Sequence, residues 1–325
     1  MVSDWVIAVD LGGTQLRAAL CTPDGTIHQR VSKKTRARRG PEAVLERIGQ
    51  TIEQIWPQLE QGRAPVRAIG ISAPGPLDPF KGVVLSSPNL PGWDNLPLRD
   101  IVSGRFEVPV CVGNDANLAA LGEHRFGAGR GYDDMIYMTI STGIGGGIIA
   151  GGRLFLGHKG LAGEIGHTVL QPNGPQCGCG NRGCLEALAS GTAIGHQAQT
   201  LAASGRAPAI LAAAQGDATQ VSAQSVGLAA AQGDKVALRL LRQAGRHIGI
   251  AIANLMHLFN PQCFVLGGGV TQAGELLFKP IRRTAQRNVQ VPQYAEGVEI
   301  VPAALGDDVG LLGALALVSA EVGIQ

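Results

Sequence analysis

Four side chains that can bind a metal ion lie close together near the middle of the chain. They occur in the segment GEIGHTVLQPNGPQCGCGNRGCLEAL and are His167, Cys177, Cys179 and Cys184. Three thiolates and one imidazole suit a tetrahedral zinc ion and leave no open position for water. The sequence therefore predicts a structural zinc site. Reduced free thiols are the alternative, whereas a disulfide would leave one of the three cysteines unpaired.

Two carboxylates flank this metal-binding segment. Glu164 precedes His167, and Glu186 follows Cys184. A metal-bound loop would fix the positions of both acids. Together with His167 and with Asn89, which lies in SSPNLPGW, they offer acceptors and amides to several hydroxyl groups. This combination fits a small polyol better than an apolar ligand.

Three glycine-rich turns each follow an apolar, strand-like run. They lie at Gly12, Gly143 and Gly267. Glycine lets backbone N–H groups come close to phosphate oxygens, so the three turns together suit a nucleoside triphosphate in a cleft between two halves. Simple tight hairpins are the alternative for each turn taken alone. The Walker A motif and the protein-kinase signatures are absent from the sequence, which disfavours both of those folds.

Two aspartates stand where apolar runs end. Asp10 closes the first run, where a carboxylate can hold hydrated magnesium, and Thr14 and Thr142 add hydroxyl donors to the turns. Asp115 follows Asn114 at the junction of a strand and a helix. A carboxylate there can accept the proton of a hydroxyl nucleophile, as phosphoryl transfer requires. The alternative is an aspartate that only caps the helix.

The composition limits the class of protein. The 325 residues are 45% hydrophobic and 16% charged, which is enough for a sizeable core in one large or two medium domains. A net charge of +2 favours neither nucleic acid nor an anionic membrane as a partner. No apolar run approaches membrane-spanning length. Thiols committed to metal indicate a reducing compartment, so a cytoplasmic protein is expected.

The two halves of the chain repeat one local pattern. Residues 5–9 and 135–140 are strand-like runs, and each leads into a turn with Thr and Gly and then into a second strand. The repeat predicts a duplicated α/β fold, with coincidence between two hairpins as the alternative. Helical spacing is present over residues 41–60 and 234–259, and a final apolar helix is expected over 309–318.

Two further segments stand out by composition, one rich in Ala and Gln and one rich in basic residues. The Ala- and Gln-rich segment 198–232 is expected to form short helices or a surface excursion without visible chemistry. The densest basic run lies within residues 30–39, between a strand-like and a helix-like segment. It is expected to be a solvated loop, and contact with an anionic ligand is the alternative.

Eight segments, in order, resemble the ROK family of sugar kinases and, within it, the bacterial ATP-dependent glucokinases. They extend from near residue 6 to near residue 315, and the zinc-loop segment is the most specific of them. The segments are VDLGGTQLRAAL, APGPLD, SSPNLPGW, GNDANLAALGEH, STGIGGGI, GEIGHTVLQPNGPQCGCGNRGCLEALASG, VLGGGV and ALGDDVGLLGAL.

The resemblance implies an actin-like and hexokinase-like (ribonuclease H-like) duplicated α/β fold with a central cleft. A small N-terminal domain would cover residues 1–115, with the C-terminal helix 311–325 packing back onto it. A large domain over residues 116–310 would carry the zinc loop. The implied reaction is ATP-dependent phosphorylation of glucose at the 6-hydroxyl. Alternatives are a ROK kinase for fructose, mannose or N-acetylmannosamine, or a non-catalytic sugar sensor.

The resemblance also implies a role for each matching residue. Asp115 would be the general base that activates the sugar 6-hydroxyl. The sugar site would be lined by Gly75, Asn89, Asn114, Asp115, Glu164, His167 and Glu186. Mg²⁺ and ATP would be held by Asp10, Gly12, Gly13, Thr14, Thr142, Gly143, Gly268 and Gly269. The structural Zn²⁺ would be bound by His167, Cys177, Cys179 and Cys184, and His167 would also approach the sugar.

One position departs from the family pattern. The family often has Lys after the Thr of the first turn, whereas this chain has Gln15. Loss of that charge would weaken ATP binding unless another cation replaces it. Repressor members carry a helix-turn-helix before the first turn, and only nine residues precede Asp10 here. An enzyme acting on a small-molecule sugar and ATP is therefore expected. A homo-oligomer (dimer or tetramer) is also expected. Polyphosphate remains an alternative phosphoryl donor.

Overall fold

Strands and helices alternate along the chain in the computed structural model, which describes residues 4–59, 62–87 and 89–323. In these ranges no helix combines the length and the apolar character needed to cross a membrane. The strands are β1 (Trp5–Leu11), β2 (Gln15–Cys21), β3 (Ile27–Lys34), β4 (Gln58–Leu59), β5 (Gly62–Arg63), β6 (Val66–Ala73), β7 (Leu77–Asp78), β8 (Val83–Val84), β9 (Val110–Asn114), β10 (Met135–Ile140), β11 (Ile144–Ala150), β12 (Arg153–Leu154), β13 (Cys263–Gly267) and β14 (Glu299–Pro302). The α-helices are α1 (Pro41–Ile55), α2 (Leu98–Phe106), α3 (Asp115–Phe126), α4 (Leu185–Ala189), α5 (Gly191–Ala203), α6 (Pro208–Ala213), α7 (Ala223–Ala231), α8 (Lys235–Phe259), α9 (Glu275–Arg287) and α10 (Val309–Val322).

Two five-stranded sheets have the same topology, which confirms the predicted duplicated fold. Their strand orders are β3-β2-β1-β6-β9 and β12-β11-β10-β13-β14. In each sheet the central strand pairs antiparallel with the strand that follows it and parallel with the next strand on its other side. The glycine turns after β1 and β10 therefore lie at equivalent edges of the two sheets, where the carboxyl ends of the parallel strands meet.

Helix α1 covers one face of the first sheet and is shorter than its sequence pattern predicts. Its buried face includes Val44, Ile48 and Ile52, as the helical spacing indicated. The helix ends at Ile55 because Pro57 disfavours a helical conformation in the residue before it, and Trp56 is accordingly extended. Glu60, the predicted last residue, lies outside the described residues.

One other sequence prediction is revised by the structure, and two are confirmed. Part of the basic run, from Arg30 to Lys34, is not a loop but belongs to the edge strand β3. The segment 198–232 does form short helices, since it contains the end of α5 together with α6 and α7. The long predicted helix is also present, with Asp234 as its N-cap and its last residue at Phe259.

Helix α10 packs against β1 and β6 of the first sheet and crosses α3. The crossing is close because glycines face backbone atoms. A methyl group on Gly122 would lie 2.9 Å from the amide nitrogen of Gly313, and one on Gly313 would overlap the carbonyl oxygen of Leu118. Residues 324 and 325 of the predicted returning helix lie outside the described residues, and the domain boundary at residue 115 stays a prediction.

Gly313→Ala should destabilise the protein, because the added methyl group overlaps the α3 backbone at the crossing. Overpacking of this kind typically costs about 1–3 kcal/mol of unfolding free energy. Gly104→Ala is the matched control, since a methyl group on exposed Gly104 meets no atom within 4 Å and helix propensity favours Ala. Thermal unfolding of both variants measures the difference; equal melting temperatures would contradict the close crossing.

Candidate active site

Two carboxylates from separate segments, Asp10 and Glu164, act on Asp115 at the edge where the glycine turns lie. Asp10 is in β1, Asp115 begins α3, and Glu164 precedes the short 3-10 helix Ile165–His167. Desolvation by the surrounding protein raises the pKa of Asp115 to about 6, although the backbone N–H of Ala116 opposes the shift. The negative charges of Asp10 and Glu164 add to the increase. The Asp115 side chain is nevertheless open to solvent.

The cap of α3 is Asn114 rather than Asp115. The Asn114 Oδ1 accepts hydrogen bonds from the N–H groups of Ala116 and Asn117, at 3.0 and 3.2 Å. Its Nδ2 donates to the carbonyl oxygen of Gly75 at 3.1 Å. Asp115 is the first helical residue, and its Oδ1 accepts from the N–H of Ala116 at 2.8 Å. Asn114 is therefore the N-cap, and Asp115 adds a further hydrogen bond to the first turn of the helix.

The glycines of β11 allow the segments that carry Asp115 and Glu164 to pack closely against the strand. On one face of the strand, a methyl group on Gly145 would lie 3.0 Å from the Ala116 Cβ, and one on Gly147 would lie 2.9 Å from the Ala116 carbonyl oxygen. On the other face, a methyl group on Gly146 would lie 3.1 Å from the Gly163 carbonyl oxygen. At these positions β11 therefore separates the start of α3 from the segment with Glu164 by little more than its own backbone.

The first glycine turn contacts the predicted sugar loop. The Gly12 N–H donates to the Gln15 carbonyl oxygen at 2.8 Å, and the buried Thr35 hydroxyl donates to the Gly12 carbonyl oxygen at 2.6 Å. A methyl group on Gly13 would lie 2.9 Å from the Asn89 Cβ. Asn89, predicted to bind sugar, is therefore next to a turn predicted to bind nucleotide.

The remaining residues of these two segments lie nearby. Thr14 is exposed at the turn, and its carbonyl oxygen accepts from the N–H of Thr35 at 2.8 Å. Gly75 has a φ of 93°, and a methyl group on it would lie 3.2 Å from the Ser87 Cα. Pro88, within the predicted sugar loop, lies outside the described residues.

Glu186 connects the metal-binding segment with the second glycine turn. Its Oε2 accepts a hydrogen bond from the Ile144 N–H at 2.9 Å, and a methyl group on Gly143 would overlap the same oxygen. Its Oε1 lies 3.8 Å from the Cys177 Sγ. Thr142 is exposed beside Gly143. Glu186, predicted to line the sugar site, thus also supports a turn predicted to bind nucleotide.

The third glycine turn lies against the end of β10. Gly268 has a φ of 89°, and a methyl group on it would lie 2.8 Å from the Ile140 nitrogen. The Thr271 hydroxyl donates to the Gly268 carbonyl oxygen at 2.7 Å. Gly269 begins a 3-10 helix and has open space where a side chain would be. The second and third turns are therefore neighbours at one edge of the second sheet.

A cavity of about 840 Å³ adjoins these two turns. Thr142 and Gly269 line one side, and His196, Gln199 and Leu228 on α5 and α7 are among the residues that line the other. Part of the Ala- and Gln-rich segment 198–232, including Gln199 and Leu228, forms a wall of this cavity.

The four predicted metal ligands come together. Their ligand atoms all lie within 4.8 Å of one another. The Cys179 and Cys184 sulfurs are 3.8 Å apart, and the Cys177 sulfur is 3.7 Å from the His167 Nδ1. Zinc–sulfur bonds of about 2.3 Å in a tetrahedron imply sulfur–sulfur distances of about 3.8 Å. The cluster could therefore hold zinc, and the sulfurs are too far apart for a disulfide.

Asp115→Asn should stabilise the protein without ligands at neutral pH. The carboxyl pKa is about 6 in the folded state and near 3.8 when unfolded, so ionisation lowers stability as pH rises between these values. The gain in melting temperature should therefore appear near neutrality and vanish in acid. Asp24→Asn is the control of opposite sign, because hydrogen bonds from Thr22 and Thr26 lower the pKa of exposed Asp24. A lower melting temperature for Asp115→Asn at pH 7 would contradict the prediction.

Sequence and structural comparisons agree on a family. The ROK family sequence model matches residues 6–321. Glucokinase of Thermotoga maritima is 39% identical over 318 residues, 98% of each chain, and N-acetylmannosamine kinase of Shigella flexneri is 35% identical over 97% of this chain and 99% of its own. A ROK family glucokinase from Streptomyces griseus, solved in complex with glucose and AMPPNP, has a TM-score of 0.82 at 38% identity and covers 96% of this chain and 98% of that one. The chain belongs to the ROK family.

Proposed function

We propose that the protein is a glucokinase that transfers the γ-phosphoryl group of ATP to the 6-hydroxyl of glucose. The observation that carries the proposal is Asp115, a solvent-accessible carboxylate with a raised pKa between a polar loop and glycine turns. Glucokinases of 36–39% identity over at least 94% of their own length support the substrate. The Streptomyces griseus relative, solved with glucose and AMPPNP, supports the pair of ligands.

The sugar would bind where the polar side chains converge on Asp115. Asn89 and Glu164 are exposed to solvent, and Asn114 and Gly75 are joined by a hydrogen bond. The Nδ1 of His167 faces the Cys177 sulfur, which leaves Nε2 as the ring nitrogen for a sugar hydroxyl. Glu186, held by the Ile144 N–H, would complete the set of acceptors. Several acceptors with few donors suit a polyhydroxylated ligand.

ATP would extend across the glycine turns into the adjoining cavity. Phosphates would contact backbone N–H groups at the turns that contain Gly12, Gly143 and Gly268. The nucleoside would occupy the cavity of about 840 Å³ between those turns and helices α5 and α7. Thr14 and Thr142 are exposed and would donate hydroxyl hydrogen bonds. In this arrangement the terminal phosphate would face Asp115.

In the proposed reaction Asp115 accepts the proton of the sugar 6-hydroxyl. The hydroxyl oxygen forms a bond to the γ-phosphorus as the bond from that phosphorus to the β,γ-bridging oxygen breaks, and ADP leaves. A carboxyl with a pKa of about 6 is ionised at neutral pH yet basic enough to take the proton. Most of the rate acceleration would come from positioning and charge stabilisation.

Two metal ions fit the side chains present. Asp10 would hold Mg²⁺, because burial raises the pKa of its half-buried carboxyl and a divalent cation would offset that cost. When bound, Mg²⁺ would neutralise phosphate charge. A structural Zn²⁺ would be held by the Cys3His cluster, whose four ligand atoms all lie within 4.8 Å of one another.

Asp115→Asn should lower kcat by about 10²–10⁴-fold, because the side chain keeps its shape but loses the base. Glucose affinity should change little. For the wild type, kcat/KM should fall as pH decreases through about 6, where Asp115 becomes protonated. Asp24→Asn, at an exposed turn, is the control and should retain both the rate and the acid limb. A folded Asp115→Asn protein with near-normal kcat would exclude the base.

Cys179→Ser should lose the metal and lower the melting temperature together. Elemental analysis of the wild type should find about one zinc per chain, as one tetrahedral site implies. Cys21→Ala removes a thiol that is buried outside the cluster and should leave the zinc content unchanged. If Cys179→Ser keeps its metal, melting temperature and activity, the zinc assignment is wrong.

A coupled assay over a panel of sugars, each with ATP and with polyphosphate, tests the proposed reaction. We expect the highest kcat/KM for glucose with ATP. The Shigella flexneri relative makes N-acetylmannosamine the main competing substrate, and a higher kcat/KM with that sugar would replace glucose in the proposal. No product with any sugar and either donor would favour a sugar sensor.

A further inference from the structure

The guanidinium group of Arg17 is held in a fixed position beside the first glycine turn. Its Nε and Nη2 donate to the Gln15 Oε1 at 3.2 and 3.0 Å, and its Nη1 donates to the Asp307 carbonyl oxygen at 2.7 Å. A guanidinium group has five N–H donors, so these three bonds leave one N–H on each terminal nitrogen. Both remaining donors can bind an oxyanion.

Arg17 lies directly across the β1–β2 ladder from Asp10. Residues opposite each other in an antiparallel pair project on the same face of the sheet. Burial raises the pKa of Asp10, and the positive charge of Arg17 opposes that rise, so the guanidinium field reaches the Asp10 carboxylate. Within the described ranges Arg17 forms no ion pair with a carboxylate, and its charge is available to a ligand.

Three other cations lie on the neighbouring edge strand β3. Lys33 is opposite Leu16, and because side chains alternate along a strand it projects from the other face of the sheet than Gln15 and Arg17. Lys34 is opposite Gln15, but it is exposed and one strand farther from Asp10 than Arg17 is. Arg30 is already paired with Asp308 at 2.9 Å. Of these four cations, Arg17 alone is both next to Asp10 in the ladder and oriented by the side chain of Gln15.

We propose that Arg17, oriented by Gln15, is the cation that binds the phosphate chain of the nucleotide at the first glycine turn. The inference rests on the proposed function, because it requires a nucleoside triphosphate at that turn. Gln15 then contributes an acceptor that fixes the guanidinium group rather than a charge of its own. A planar guanidinium group with two free N–H groups suits phosphate oxygens.

Arg17→Met tests the proposal, because Met has similar length and no charge. Calorimetry should show ATP and ADP bound roughly 10- to 100-fold more weakly, the range for loss of a charged hydrogen bond, with adenosine affinity unchanged. Arg67→Met is the matched control. Arg67 pairs with Asp4 at 2.7 Å near the opposite end of the same sheet, so its loss should change no nucleotide affinity.

Restoring a cation at the turn distinguishes an effect of the lost charge from an effect of a disturbed structure. Gln15→Lys in the Arg17→Met background places an ammonium group on the same strand face and should recover most of the ATP affinity. If Arg17→Met unfolds, Gln15→Leu tests the proposal in its place. In that variant Arg17 keeps its charge but loses the acceptor that orients it. ATP affinity should therefore fall, and adenosine affinity should stay unchanged.

Three results would overturn the proposal. Wild-type ATP affinity in Arg17→Met would remove Arg17 from the phosphate site. An equal loss for adenosine and ATP would make Arg17 a structural residue. A loss of ATP affinity in Lys34→Met but not in Arg17→Met would assign the role to Lys34. A wild-type protein that binds neither ATP nor ADP would instead refute the proposed function itself, and this is measured first.

Discussion

The close packing of β11 against its two neighbours determines how the rest of the site is arranged. Gly145 and Gly147 bring the start of α3 to within methyl-contact distance of the strand, and Gly146 does the same for the segment before Glu164. Side chains at these positions would push Asp115 and Glu164 apart. The sequence pattern of these glycines suggested a phosphate-binding turn. In the structure they also allow carboxylates from distant segments to lie close together.

Further contacts join parts of the site to which different ligands are assigned. Glu186 receives the Ile144 N–H from the second turn and lies beside Cys177 of the metal cluster, so the metal-binding segment supports the turn. A second contact of this kind joins the predicted sugar loop to the first turn, because Asn89 packs against Gly13. Sugar and nucleotide segments that share contacts would move together, which suits a reaction that needs both ligands in register.

Local patterns in the sequence predicted the duplication and the metal cluster, whereas the actin-like fold was implied by the resemblance to the ROK family. The repeated strand–turn–strand pattern predicted two equivalent sheets, and the spacing of Cys177, Cys179 and Cys184 predicted a cluster, because both depend on neighbouring residues. Two features were not predicted, because one depends on competition between neighbouring side chains for the helix cap and the other on contacts between distant segments. Asn114 caps α3 in place of Asp115, and helices from segment 198–232 line a cavity only because the chain folds back on the turns.

A crystal structure with glucose and a non-hydrolysable ATP analogue would test the central claim most directly, because it locates the reacting atoms relative to Asp115. A general base must lie within hydrogen-bond reach of the proton it accepts, about 2.6–3.2 Å between heavy atoms. We predict that distance between an Asp115 carboxylate oxygen and the glucose 6-hydroxyl, with the terminal phosphate on the far side of that hydroxyl. A sugar bound away from Asp115, or bound with another hydroxyl facing it, would contradict the assignment.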